Sequence, residues 1–140
     1  MKANTARTLL IAAALLPLFY ACAAGPMAGG APVQLTGDML VNKAGMTLYT
    51  YDKDPAGKSA CTGACAGIWP PLMASATDKA GGDFSIIARD DGSRQWAYDG
   101  KPLYTWVKDQ KPGDKTGDNF NKVWHAAMTA KPIEQPGGGY

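Results

Sequence analysis

Slid along itself by 55 residues, this chain meets its own pattern again. The segment GMTLYTYDKD, Gly45 to Asp54, falls on GKPLYTWVKD, Gly100 to Asp109, with Gly, Leu, Tyr, Thr, Lys and Asp in place and Tyr51 opposite Trp106. The same shift sets Gly37 on Gly92 and Trp69 on Trp124 without a gap, so agreement holds at both ends of a 33-residue stretch. Duplication limits the fold strongly, because one short unit cannot bury its apolar face alone and finds its partner in its own copy. Two similar halves about a pseudo-twofold axis are expected, with repeat 1 at about 37–71 and repeat 2 at about 92–126.

Each unit reads as strands. Leu48, Thr50 and Asp52 point one way along an extended chain and Tyr49, Tyr51 and Lys53 the other, an alternation of aromatic and branched side chains that suits a sheet. In the second copy, FSIIARDDGSRQWAYDGKPLYTWVKD holds three such runs. They are parted by Asp90-Asp91-Gly92 and Asp99-Gly100, which favour tight turns, so a three-stranded antiparallel meander is expected. The first copy matches it, with Met39 to Asn42 turning at Lys43-Ala44-Gly45 into a strand over Thr47 to Tyr51. The 17 Gly and 10 Pro, and the want of a 3.6-residue apolar period, leave room only for short helical turns, at Thr62 to Ile68 and Asn119 to Trp124. The expected fold is mainly β, a small single domain of two pseudo-twofold-related β-meander repeats with little helix, spanning 34–134.

The chain ahead of the repeats has another character. Lys2 and Arg7 precede an apolar run from Leu9 to Tyr20, which ends in Ala21-Cys22-Ala23-Ala24-Gly25. That order is the layout of a secretory leader. Pro17 and the small residues set it apart from a spanning helix, which needs roughly 20 strongly apolar residues. Residues 1–22 are read as signal peptide and lipobox, with Cys22 lipidated; cleavage after Ala23 is the other route. Taking Cys22 out of the thiol pool leaves an even pair, Cys61 and Cys65, as suits an oxidising compartment. Residues 23–33, AAGPMAGGAPV, make a flexible linker, and 135–140 a frayed tail. Without Lys2 and Arg7 the 14 basic side chains fall to 12, equal to the 12 acidic ones. A neutral chain gives no field to draw nucleic acid, so no nucleic-acid partner is expected.

Two groups of residues could carry chemistry. The repeated Y-x-[YW]-x-x-D element comprises Tyr49, Tyr51 and Asp54, then Tyr104, Trp106 and Asp109. Its rings are expected to fill the core between the halves, each Asp accepting backbone hydrogen bonds in the turn that follows. Exposed rings would instead form a glycan-binding platform. Cys61 and Cys65 occur in copy one alone, where copy two has Thr116 and Phe120; a local disulfide is expected, with Gly63 allowing the bend. The alternative is copper binding or thiol redox chemistry by Cys61 and Cys65, with or without His125, the sole histidine, since thiolate and imidazole suit copper. No Gly-x-Ser-x-Gly elbow or paired-His helix is present, so no enzyme activity and no cofactor are expected.

Together the paired Y-x-[FWY]-x-x-D motifs, the CTGACAGIWPPL segment and the RDDGSRQWAYDGKPLYTW meander resemble the bacterial lipoproteins described as a secreted repeat of unknown function. The resemblance runs from about Leu40 to Trp124. It implies an exported, envelope-attached protein with two repeats, and no established activity. The motif falls on Tyr49, Tyr51, Asp54, Tyr104, Trp106 and Asp109. The lipobox departs from the usual pattern, with Phe19, Tyr20 and Ala21 before Cys22. The expectation is an exported cell-envelope lipoprotein, periplasmic or membrane-anchored, acting as a binding or structural module.

Overall fold

The computed structural model describes residues 30–129; the leader, Cys22, most of the linker and the tail lie outside the described residues. The fold is mainly β, in small antiparallel sheets. Copy one opens with a hairpin of β1 (Val33–Thr36) and β2 (Met39–Asn42), paired Leu35 to Leu40. The chain then turns into β3 (Tyr49–Tyr51), a five-residue helix α1 (Ala64–Ile68) and the short β4 (Met73–Ala74). Copy two repeats the order with β5 (Phe84–Ala88), β6 (Arg94–Tyr98), β7 (Lys101–Pro102), a 3-10 turn at Phe120–Lys122 and β8 (Trp124–Ala126).

The turn chemistry follows the sequence. Asp99 and Gly100, both at positive φ (47° and 74°), close a two-residue turn between paired Tyr98 and Lys101, the conformation that Asp-Gly favours. At the matching corner of copy one, the Asn42 side chain accepts hydrogen bonds from Ala44 N–H and Met46 N–H at 2.9 and 3.0 Å. That corner is one residue longer. Leu48 N–H bonds to Leu40 O and Leu103 N–H to Trp96 O, each at 3.0 Å, so Leu40 answers to Trp96, 56 residues on, rather than to Gln95. The gapless pairing of Gly37 with Gly92 is thereby corrected. Gly37 lies in the two-residue turn between Thr36 and Met39, whereas Gly92 lies in the wider loop between Ala88 and Arg94.

The halves are interleaved. β3 pairs with β8 of the other copy, Thr50 opposite His125. β4, at the end of copy one, adds to β6 of copy two, Met73 opposite Gln95, and Met128, at the end of copy two, bridges to Met39 of copy one. On the axis, Tyr49 N–H donates to Tyr104 O at 2.8 Å and Tyr104 N–H to Tyr49 O at 2.9 Å. Ala127 N–H to Leu48 O and Leu72 N–H to Leu103 O, at 2.8 and 2.9 Å, are another such pair. The strand through Leu48 and Tyr49 is buried on both faces. Leu48 packs with Val33, Leu40, Leu103 and Ala127, and Tyr49 with Cys61, Trp69, Tyr104, Trp106 and Trp124.

The second cluster is a column of rings. Tyr51, Trp124, Trp69 and Trp106 stack in that order, with centroids 4.3, 3.8 and 4.0 Å apart. Tyr49 meets the edge of Trp69 at 5.3 Å and Tyr104 that of Trp124 at 5.2 Å. Duplication maps Tyr51 on Trp106 and Trp69 on Trp124, so the column maps on itself and the axis runs through its middle. Such pairs add about 0.5–1.5 kcal/mol each beyond the area they bury. Gly117 lies flat on this column, where a Cβ would stand 2.7 Å from the Trp69 ring.

Candidate functional site

The repeated motif lies inside the domain. Tyr49 and Tyr104 are fully buried and Trp106 is 5% exposed. The Tyr49 hydroxyl donates to Asp109 Oδ2 at 2.6 Å and the Tyr104 hydroxyl to Asp54 Oδ2 at 2.6 Å. Each tyrosine therefore reaches the aspartate of the other copy. The second carboxylate oxygens accept backbone bonds in the turns that follow: Asp54 from Ala60 N–H at 2.7 Å, and Asp109 from Thr116 N–H at 3.0 Å and the Thr116 hydroxyl at 2.6 Å. Burial, with the neighbouring carboxylate, holds both tyrosine hydroxyls well above their ordinary pKa. Burial also raises Asp54, opposed by the bonds from Tyr104 and Ala60 and by the charge of Arg89.

Arg89 is a buried cation held by neutral acceptors. Its Nη1 donates to Ser59 Oγ and Gln95 Oε1 at 2.9 and 2.7 Å, and its Nη2 to Cys61 O at 2.7 Å. Ser59 in turn bonds the Tyr104 hydroxyl at 2.7 Å. A buried guanidinium is tolerated when its donors are met and a carboxylate lies near, so the hairpin of copy two is pinned to the cysteine loop of copy one.

The positions of these residues bear on two alternatives. A glycan platform requires open rings, and three of the four are buried while Tyr51 lies flat on Trp124. The copper set of Cys61, Cys65 and His125 is not assembled: Cys61 and Cys65 are joined in a disulfide, and His125 bonds Asp52. Among the described residues no group of three His, Cys, Asp or Glu side chains converges as metal ligands. Gly63 takes a positive φ of 58° at the bend of the disulfide loop, and Phe120, at the place of Cys65, packs instead on Trp106 and Trp69.

An open polar feature lies elsewhere. His125 Nε2 and Asp52 Oδ2 are 2.9 Å apart, with side chains 41% and 54% exposed. They stand in a cleft of about 360 Å³ with Thr50, Tyr98, Asp99, Lys101 and Met128 in its walls. The repeat makes this pair informative. Asp52 N–H bonds Val123 O at 2.8 Å and its counterpart, Val107 N–H, bonds Ile68 O at 3.2 Å. The backbone is thus built twice, yet at the symmetry-related place Val107 of copy two stands for Asp52 and Pro70 of copy one for His125. The fold does not require the His–Asp pair. Asp52 escaped notice in the sequence, although it stands one residue beyond the motif's second aromatic and opposite a valine in the copy.

An interleaved two-repeat β domain braced by a disulfide is the class that these features define. Two stretches, 34–73 and 85–128, match the family model of a secreted repeat of unknown function, and the chain belongs to that family. The matched stretches begin earlier than the repeat bounds read from the sequence, taking in most of β1 and of β5. No curated protein and no solved structure matches the chain. No helix among the described residues is long and apolar enough to cross a membrane.

Proposed function

We propose that the protein is an exported cell-envelope lipoprotein, anchored through acylated Cys22, whose domain works by binding or support and not by turnover. The observation that carries this reading is the fate of the family motif. Tyr49, Tyr104, Trp106, Asp54 and Asp109 are engaged with one another inside the domain, so what the motif specifies is a frame. A disulfide that braces one loop suits a chain exported to an oxidising compartment.

The distance from anchor to domain fits work close to a membrane. From Cys22 to the first strand at Val33 there are 11 residues, which reach at most about 36–40 Å when extended. The test is the intact mass of the mature chain from membrane and soluble fractions, before and after reduction and alkylation. The expected result is a diacyl or triacyl Cys22 in the membrane fraction and two cysteines that alkylate only after reduction. A soluble chain cut after Ala23, with free thiols, overturns it.

A further inference from the structure

We propose that His125 and Asp52 form an open binding site for a borderline divalent transition-metal ion such as Zn(II) or Cu(II). The inference is independent of lipid anchoring and rests on four observations.

The first is that the fold does not need the pair. Val107 of copy two and Pro70 of copy one occupy the equivalent places on the same backbone hydrogen-bond frame, so the His125 imidazole and the Asp52 carboxylate, one from each copy, are present at only one of two symmetry-related places.

The second is the geometry. Bonds of about 2.0–2.1 Å from one metal to a histidine nitrogen and a carboxylate oxygen set those atoms about 2.9 Å apart at the roughly 90° of a tetragonal Cu(II) site, and about 3.3 Å apart at the tetrahedral angle of Zn(II), which a small rotation of the exposed Asp52 side chain supplies. The separation of His125 Nε2 and Asp52 Oδ2 is 2.9 Å, the tetragonal value. The ion replaces the hydrogen bond between them, with the imidazole neutral, its proton on Nδ1 and its lone pair on Nε2.

The third is rigidity. His125 is on β8 opposite Thr50 of β3, and Asp52 follows β3 directly with its N–H bound to Val123 O. Behind them Tyr51 lies on Trp124, centroids 4.3 Å apart, so both donors stand on a framework that packing already holds.

The fourth is access. Both side chains are about half exposed, so little desolvation opposes an ion. Because no third His, Cys, Asp or Glu among the described residues converges on them, the remaining positions stay with water or with a donor from another molecule. An open site of this kind is the reverse of a closed structural one. Imidazole with carboxylate selects the borderline ions over calcium or magnesium, which take oxygen ligands. The exposed side chain of Met128 lines the same cleft.

The test uses the mature chain and zinc chloride, read by the ring nitrogen resonances of His125, the one histidine present. Saturable shifts at one equivalent per chain are expected. Asp52→Asn should weaken binding by at least the about 10-fold that loss of even an outer-shell partner costs, and His125→Ala should abolish it. Near-ultraviolet circular dichroism of the tryptophans should be unchanged in both, as the pair lies outside the ring column. No shift of His125 up to about 1 mM zinc overturns the site. So does undiminished binding by Asp52→Asn, which would mean that a lone imidazole takes the ion, and so does a bound zinc that leaves His125 unmoved.

Discussion

The Tyr49 hydroxyl reaches across the pseudo-twofold axis to Asp109, 2.6 Å away in the other repeat. Tyr104 does the same toward Asp54. The two motifs are therefore locked to each other, and removal of one hydroxyl takes a hydrogen bond from the carboxylate of the opposite half.

That crossing has a measurable form. In urea melts, the cycle of Tyr49→Phe with Asp109→Ala should give a coupling of about 2 kcal/mol, the range for hydrogen bonds to charged groups. Tyr49→Phe with Asp54→Ala, both in one repeat, should couple far less. Equal couplings would mean that the bonds are not crossed in solution.

Alkali should unfold the domain through these same hydroxyls. Both tyrosines keep their protons in the folded state well past the ordinary value near 10, while the unfolded chain gives them up there. The unfolded state then binds fewer protons, so stability is full below about pH 10 and falls as pH rises above it. The loss is about 1.4 kcal/mol per pH unit for each tyrosine. Melts between pH 9 and 11.5 should show Tyr49→Phe losing stability less steeply than the parent by about that amount.

Gly117 is expected to accept no side chain. A methyl group there would sit 2.7 Å from the Trp69 ring and 3.1 Å from that of Trp106. Gly117→Ala should cost about 1–3 kcal/mol, as overpacking of a tight core does, and should alter the near-ultraviolet circular dichroism of the stacked tryptophans.

Reduction of Cys61–Cys65 should leave the domain folded. The loop it closes has a sequence separation of 4, for which the chain-entropy account gives about 2 kcal/mol. A thermal melt in a phosphine reductant should move to lower temperature and remain a single transition. Collapse to an unfolded chain would show that the bridge holds more than its own loop.

Much of this fold was legible in the sequence because each half needs the same side chains. The run from Leu48 to Asp54 recurs from Leu103 to Asp109, and the two tryptophans recur because each is a face of one column. Asp99-Gly100 announced its turn, and the short helical turns fell where Thr62 to Ile68 and Asn119 to Trp124 placed them. The exchange between halves was hidden, since a duplicated chain reads the same whether each copy folds on itself or on its twin. The extra residue at the Lys43 corner was hidden too: two turn glycines happened to align, and hydrogen bonds rather than residue identities fix the register. The His125–Asp52 pair arises from strand pairing between residues 73 apart, which no local pattern displays.

Because each half finishes the other's sheet and receives the other's hydroxyl, a chain of one repeat could complete itself only by pairing with a second identical chain. A symmetric dimer of that kind carries every substitution twice. A single polypeptide lets its two copies differ: copy one alone carries the covalent bridge of Cys61 and Cys65, and an imidazole of copy two stands beside a carboxylate of copy one at only one of two related places, while the aromatic centre is common to both.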